Sequence, residues 1–239
     1  MTEQDQIRVT IDVLPLSVHE KVLYILLSER KAPPYRGMWA LPGRFISMNE
    51  SAEPAAERMM HELLPSAEGY LEQLYTFTEL NRDPRGRVIS LSYLDVLPWK
   101  AVQDSVLRGD SSLVCFAASL NEKGLRLKGA DGTLLSGNDL AFDHGRIIET
   151  GIRRLRGKID YTEIGFRFLA DMNAFSLSEL QDVFEAVLGE KVDSSNFRRT
   201  IINRYEKTGQ LRQTELSARR GPGRPAVLYS MAKGYEIND

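Results

Sequence analysis

The residues best suited to chemistry in this 239-residue chain lie near its end. Ser195, Asn196, Arg198, Arg199 and Asn203 fall on one side of a segment whose other side is Phe197, Ile201 and Tyr205. Guanidiniums and amides suit phosphate oxygens and base edges, so this segment points to nucleic acid. Further on, Arg219, Arg220 and Arg224 crowd a Gly/Pro turn and suit phosphates or a minor groove. Charge agrees with this placing. From Arg146 onward there are 16 Lys/Arg against 13 Asp/Glu, a net of +3, which leaves 15 against 20, a net of −5, for the front. Between Ser194 and Lys233 nine basic residues face only Glu206 and Glu215, a net of +7. An acidic front and a basic tail assign the polyanion to the tail alone.

Other chemistries are set aside by composition. Cys115 has no partner cysteine, and His19, His61 and His144 are scattered, so neither a disulfide framework nor a zinc site is expected. Apolar runs such as Val22 to Leu27 are too short to cross a bilayer, and the polar, acidic start lacks the features of a signal peptide. A cytoplasmic protein with no membrane partner is expected.

The elements that must position these residues follow from periodicity. Ser176 and Glu179 have capping-box spacing, and Leu177, Leu180, Phe184 and Val187 or Leu188 make the inner stripe of a helix ending at Gly189. A short link leads to a second helix capped by Asp193 or Ser194. Leu211 to Leu216 and the stretch ending at Tyr229 read as strands flanking the basic turn. Helix, helix, strand, turn and strand is the winged-helix order, with the second helix as the recognition helix. The competing reading of the basic turn is a surface hairpin charged for solubility.

The front is read as β-rich. Strands are predicted at Arg8 to Pro15 and Lys21 to Leu27 with a polar break at Ser17 to Glu20, and at Tyr70 to Thr78 and Val88 to Val96. Ala52, Ala55, Ala56, Met59, Met60 and Leu63 form one helical stripe, opened by Pro54 in the first turn and stopped by Pro65. Val114 to Leu135 is read as one or two hairpins, and Ile147 to Leu155 as a basic-faced helix. The boundary is drawn as 1–157 and 158–239, with Asp160 to Phe166 as the junction.

Gly43-Arg-Phe-Ile-Ser-Met-Asn-Glu50 through Arg58-Met-Met-His-Glu62, preceded by Trp39-Ala-Leu-Pro-Gly, resembles the Nudix box. The resemblance implies a loop–helix motif whose carboxylates hold Mg²⁺ against a diphosphate while water attacks it. Gly43, Glu50, Arg58 and Glu62 match. Met59 and Leu63 stand where two further glutamates belong, and a thioether and an isobutyl group do not bind Mg²⁺. The box is therefore read as vestigial, with no catalytic residue, no bound metal and no required cofactor. A ligand pocket is still expected, built from Arg30, Trp39, Arg44, Phe45, Arg82, Arg85 and Arg87. The arginines would hold phosphates and the aromatics would stack on a base or sugar. The competing reading makes Arg82, Arg85 and Arg87 solvated loop charges, and Trp39 and Phe45 core.

Phe175-Ser-Leu-Ser-Glu-Leu-Gln181, Asn196-Phe-Arg-Arg199, Gly223-Arg-Pro-Ala-Val-Leu-Tyr229 and Leu140-Ala-Phe-Asp-His144 extend the resemblance to nearly the whole chain. The chain is similar to the Nudix-related transcriptional regulators of NrtR type. That implies an α+β protein: a Nudix α/β/α sandwich followed by a C-terminal winged helix-turn-helix domain. It further implies a homodimeric repressor of NAD biosynthesis or salvage genes on double-stranded operator DNA, with ADP-ribose or a related nucleotide as small-molecule effector. Two alternatives stand beside it: an active ADP-ribose or nucleotide-sugar pyrophosphatase, and an arabinose-sensing regulator of the same architecture.

Overall fold

One strand organises the front of the molecule. The computed structural model describes residues 7–65, 67–107, 111–218 and 225–232. Strand β1 (Arg8–His19) lies among β2 (Val22–Glu29), β3 (Trp39–Ala40), β4 (Gly43–Phe45), β5 (Tyr70–Phe77), β6 (Val88–Val96), β7 (Leu113–Asn121), β8 (Gly124–Gly129) and β9 (Leu134–Ser136). The sheet order is β5-β6-β1-β2-β7-β8-β9, with β3 beside β2 and β4 beside β1. On one side β1 runs parallel to β6, from Arg8 opposite Val88 to Leu16 opposite Val96. On its other side it pairs with β4 over Thr10 to Asp12 and with β2 over Leu16 to His19. Pro15 falls in the gap between those two ladders, where its missing N–H is tolerated.

This β1 is longer than predicted. Ser17 was expected to break it, yet Ser17 is buried and its hydroxyl donates to the Leu97 carbonyl at 2.8 Å. The turn falls instead at Glu20 and Lys21, both in left-handed backbone at φ 47° and 65°. Val114 to Leu135 is a meander of β7, β8 and β9 at the sheet's far side.

Alternation sends side chains to two layers. Ile11, Val13, Tyr93 and Leu97 pack against Ala55, Ala56, Met59 and Met60 of α1 (Ala52–Leu63) and Val102 of α2 (Trp99–Leu107). No predicted element corresponds to α2. On the other face Leu14, Leu16, Leu94 and Val96 meet Ile147, Ile148, Ile152 and Leu155 of α3 (His144–Lys158). The result is an α/β/α sandwich, as expected. Gly151 lets α3 approach closely, because a Cβ there would overlap Leu14 and come within 3.0 Å of Leu94 Cδ2. Gly151→Ala is therefore expected to cost about 1–3 kcal/mol by overpacking, despite alanine's better helix propensity. Urea denaturation checks this, and an unchanged midpoint would mean that the layers part at little cost.

The tail is built as its sequence implies. Helix α4 (Leu177–Leu188) opens with a capping box: Ser176 Oγ accepts from the Glu179 N–H at 3.2 Å, and the Glu179 carboxylate accepts from the Ser176 N–H at 2.7 Å. It ends at Gly189 in left-handed backbone, φ 77°. Asp193 caps α5 (Ser194–Ile201) by accepting from the Asn196 N–H at 2.8 Å. The chain then widens into a π-type turn, Ile202–Glu206, so Asn203 lies beyond α5 proper. A ribbon of β10 (Leu211–Ala218) and β11 (Ala226–Met231) completes the winged helix.

The two units share one apolar core. Phe166 meets Phe175 and Tyr205 edge-on, Phe184 meets Phe197, and all belong to the same buried cluster as the α3 face of the sheet. Ile164, Gly165, Phe166 and Phe168 of the turn Glu163–Phe168 are buried, so the chain crosses between the units inside the core. Arg156, at the end of α3, donates to the carbonyls of Val187 and Leu120, both at 2.9 Å. Lys21, on the β1–β2 turn, pairs with Glu185 at 2.8 Å and Asp182 at 3.3 Å. Among the described residues no helix is long and apolar enough to cross a membrane.

Candidate ligand pocket and DNA-facing helix

A cavity of about 140 Å³ opens where β1, β4, the loop before β6 and the start of α3 converge. Its floor is ionic. Asp12 on β1 and Ser90 on the neighbouring β6 share the α3 face of the sheet, and Ser90 donates to Asp12 at 2.6 Å. The Arg82 side chain, 3% exposed, bridges two carboxylates: Asp143 at 2.7 and 3.0 Å and Asp12 at 3.1 Å. Burial opposes the Arg82 charge, but Asp143 and Asp12 more than restore it and raise its pKa above the ordinary value. His144 accepts from the Leu41 N–H through Nδ1 at 2.8 Å and approaches Asp12 through Nε2 at 3.7 Å. Burial pushes the His144 pKa down, with Asp12 pulling the other way, so it is neutral; an acceptor Nδ1 then puts the ring proton on Nε2, facing Asp12.

The mouth is aromatic and cationic. Phe142 holds a left-handed backbone, φ 55°, which costs a non-glycine residue about a kcal/mol or more. The Arg30 guanidinium lies 4.7 Å from its ring and that of Arg85 lies 5.5 Å away, while Tyr35 meets it edge-on. Arg85 also covers Phe45 at 5.1 Å and pairs with Asp83 at 2.7 Å. Burial lowers the Arg30 pKa, and the neighbouring Arg85 charge lowers it further. Arg85's own pKa is raised by its bond to Asp83, so of the two guanidiniums at the mouth Arg30 is the one without a carboxylate hydrogen-bonded to it among the described residues, and an anion there would offset its burial.

Arg30, Arg44, Phe45, Arg82 and Arg85 all line this cavity. Trp39 and Arg87 do not. Trp39 packs edge-on against Phe116, 4.9 Å between ring centres, because β3 turns it into the sheet's core side. Arg87 reaches back to the carbonyls of Thr78 and Glu79 at 2.7 and 3.0 Å and so closes the β5–β6 loop. Sequence reasoning missed Asp12, Asp83, Phe142 and His144, which line the cavity, and Asp143 and Tyr35, which hold its lining residues Arg82 and Phe142. Of these, only the Phe142-Asp-His144 run was visible, as a family likeness without a role.

The Nudix-box positions fold against α1 as an ion network. Arg58 binds Glu50 through Nε at 3.0 Å and Glu62 through Nη1 at 3.0 Å, and Arg44 takes the other Glu62 oxygen at 2.6 Å. Hydrogen bonding to Arg44 and then Arg58 holds the Glu62 pKa below the carboxylate range, as Arg58 does for Glu50. Met59 is buried in the α1 core and Leu63 is half-buried. Mg²⁺ does not fit here: the surviving carboxylates are taken by guanidiniums, the other two positions lack oxygen donors, and no metal-holding cluster occurs among the described residues. Arg44 brings to the cavity's edge the positive charge that a cation would otherwise carry.

On the tail, Ser195, Asn196, Arg198, Arg199 and Asn203 are all exposed, while Phe197, Ile201 and Tyr205 are buried beneath them. Arg199 donates to Asn196 Oδ1 at 2.9 Å, and Arg198 reaches the Tyr229 hydroxyl on β11 at 3.3 Å. Arg219, Arg220 and Arg224 lie outside the described residues.

Comparison with known proteins places these features. A family model described as the NrtR DNA-binding winged helix domain matches residues 165–231. The ADPR responsive transcriptional repressor NtrR of Acinetobacter baylyi is 31% identical over 232 residues, 96% of this chain and 84% of that protein. The ADP-ribose pyrophosphatase of Methanocaldococcus jannaschii is 32% identical over 142 residues, 58% of this chain and 71% of its own length. The crystal structure of Shewanella oneidensis NrtR complexed with a 27mer DNA superposes with a TM-score of 0.73 at 30% identity, covering 94% of this chain and 93% of that one. A degenerate Nudix box, a winged helix matched to that family's own domain and likeness along almost the full length lead to one assignment: the chain belongs to the NrtR family of Nudix-related transcriptional regulators.

Proposed function

We propose that this protein is a homodimeric transcriptional repressor that binds operator DNA through α5 and the wing and releases it when ADP-ribose enters the arginine pocket. The observation that carries the reading is the pocket's mouth, where Arg30 and Arg85 flank Phe142 and Arg44 stands at the edge. A diphosphate between them satisfies both guanidiniums, and Phe45, Phe142 and Tyr35 offer faces for the sugar and base. In this reading Arg44, Arg30 and Arg85 hold the ligand, while Arg82 holds the floor. A single winged helix covers one half-site, so two copies on successive major grooves suit a palindromic operator. Ser195, Asn196, Arg198, Arg199 and Asn203, with Arg219, Arg220 and Arg224 of the wing, are the DNA contacts in this scheme.

The coupling runs along α3. Phe142 touches the ligand, Asp143 and His144 start the helix, and Arg156 at its far end grips α4. A ligand that favours one seating of Phe142 thereby favours one seating of the winged helix, and DNA favours the other. Ligand and hydrolysis are separate in this scheme, because the box offers no Mg²⁺ donor set. The expected result is that ADP-ribose displaces the operator in a gel-shift assay equally with EDTA or with Mg²⁺, with no AMP released. Displacement that requires Mg²⁺ would overturn the metal-free reading. The second reading, a pyrophosphatase, draws on the Methanocaldococcus relative and on Glu62. It requires Mg²⁺-dependent AMP release that Glu62→Gln abolishes.

A further inference from the structure

Strand β6 directs Leu91, Tyr93 and Asp95 to the α1/α2 face of the sheet, where Leu97 just beyond it also packs, and three of these four are apolar core or packed against it. Asp95 is the exception. It is 3% exposed, yet no described residue donates to its carboxyl or pairs with it, and burial alone pushes its pKa up to about 7. Taking a carboxyl out of water without a partner is unfavourable, so its presence calls for a compensating group. Asp95 lines a cavity of about 550 Å³ between the outer side of α1 and the segment entering β5. Gly69 keeps the carboxyl in reach of that cavity, since a Cβ there would overlap its Oδ1.

The rest of the cavity is acidic and greasy. Glu57 and Glu68 add two carboxyls, and Met60, Leu71 and Pro54 supply apolar wall. Of its basic side chains, Arg58 is already held by Glu50 and Glu62, and His61 is the other. No group among the described residues has the donors to hold a metal ion. Carboxyls over an apolar wall match an ammonium group on a hydrocarbon body.

We propose that this cavity is a binding site for a small amphipathic amine, whose ammonium group pairs with Asp95 and whose hydrocarbon part rests on Met60 and Leu71. The site is separate from the arginine pocket and opposite to it in charge. The amine stabilises the ionised carboxyl, so binding strengthens as pH rises through the Asp95 midpoint. The groups that face Asp95 are Glu57, Arg58 and His61 on α1, Glu68 before β5 and Tyr70 on β5; β1 contributes only Pro15 opposite. His61 shares the cavity, so the pH series needs a variant lacking only Asp95.

The test is isothermal titration and thermal shift on the full chain with cadaverine and phenethylamine, with pentanol and MgCl₂ as controls, at pH 8 and pH 5.5. Both amines are expected to bind at pH 8, and more than about tenfold more weakly at pH 5.5, where a carboxyl with a midpoint near 7 is almost wholly protonated. Asp95→Asn is expected to lose the amines at both pH values while keeping ADP-ribose binding. In the absence of amine, the wild type should lose stability as pH rises from about 4 to about 7, because its folded carboxyl holds its proton more tightly than the unfolded one. Asp95→Asn should lack that slope. If Asp95→Asn does not fold, Glu68→Gln with the wild-type pH series carries the test. No amine binding at pH 8, equal binding by Asp95→Asn, or equal response to pentanol or MgCl₂ would each overturn the proposal.

Discussion

Replacing Arg198 and Arg199 together by alanine is expected to lower operator affinity by at least about 100-fold while leaving the melting temperature within a degree or two of wild type. Both side chains are exposed on α5, and the buried face of that helix, Phe197 and Ile201, is untouched. Surface changes of this kind cost about 0.5 kcal/mol or less. The loss in binding is larger because each well-placed arginine at a base edge contributes about 1–3 kcal/mol of discrimination, and each phosphate contact releases counterions. The hydrogen bonds to Asn196 and Tyr229 hold the two guanidiniums in set directions, so the helix presents them in place. Fluorescence anisotropy against labelled promoter DNA over a salt series measures both effects. The slope of log affinity against log salt should flatten by roughly two units if both arginines contact phosphate, and by less where one reads a base. Unchanged affinity in a folded double variant would remove α5 as the recognition helix.

What could be read from sequence followed the range of the forces involved. The α1 stripe, the capping box at Ser176 and Glu179, and the Phe197, Ile201 and Tyr205 face of α5 are local patterns, and each lies where its spacing puts it. The Met59 and Leu63 substitutions were equally plain, since they concern side-chain chemistry at known spacing. The ionic floor of the pocket was not legible. Asp12, Arg82 and Asp143 come from β1, a loop and the start of α3, and nothing in the order of residues tells a buried arginine from the solvated ones beside it. Arg82, Arg85 and Arg87 look alike in the loop, yet one bridges a buried and a partly buried carboxylate, one stands at the cavity's mouth and one ties the loop to its own carbonyls. The short α2 escaped because Trp99 to Leu107 follows a proline and lacks a long apolar stripe. Ser17 misled because a buried hydroxyl with a partner behaves as core.

That difference among three neighbouring arginines gives the largest stability effect expected of the molecule. Arg82→Ala removes the cation from between Asp12 and Asp143, which are 4% exposed as a residue and 15% exposed in its side chain. Two carboxylates then face each other beside a neutral His144, and breaking a buried pair in this way costs about 3–5 kcal/mol. Against a total of about 5–15 kcal/mol for a natural domain, that leaves a marginal fold, with a melting temperature lower by roughly 10 °C. Urea denaturation at pH 7.5 measures it, and a deficit below about 1 kcal/mol would mean that solvent already screens the cluster. Arg85→Ala makes the contrast. Its own side chain is 37% exposed, but Asp83, its carboxylate partner among the described residues, is 3% exposed in its side chain, so stability should fall by about 1–3 kcal/mol, less than in Arg82→Ala. The absence of Arg85 also takes away one wall of the anion-binding mouth, and the concentration of ADP-ribose needed to free the operator should rise by about tenfold or more. Arg82 therefore acts on ligand binding through the fold, and Arg85 acts on it directly; the two variants separate these roles because the first changes the denaturation midpoint more and the second changes the release curve more.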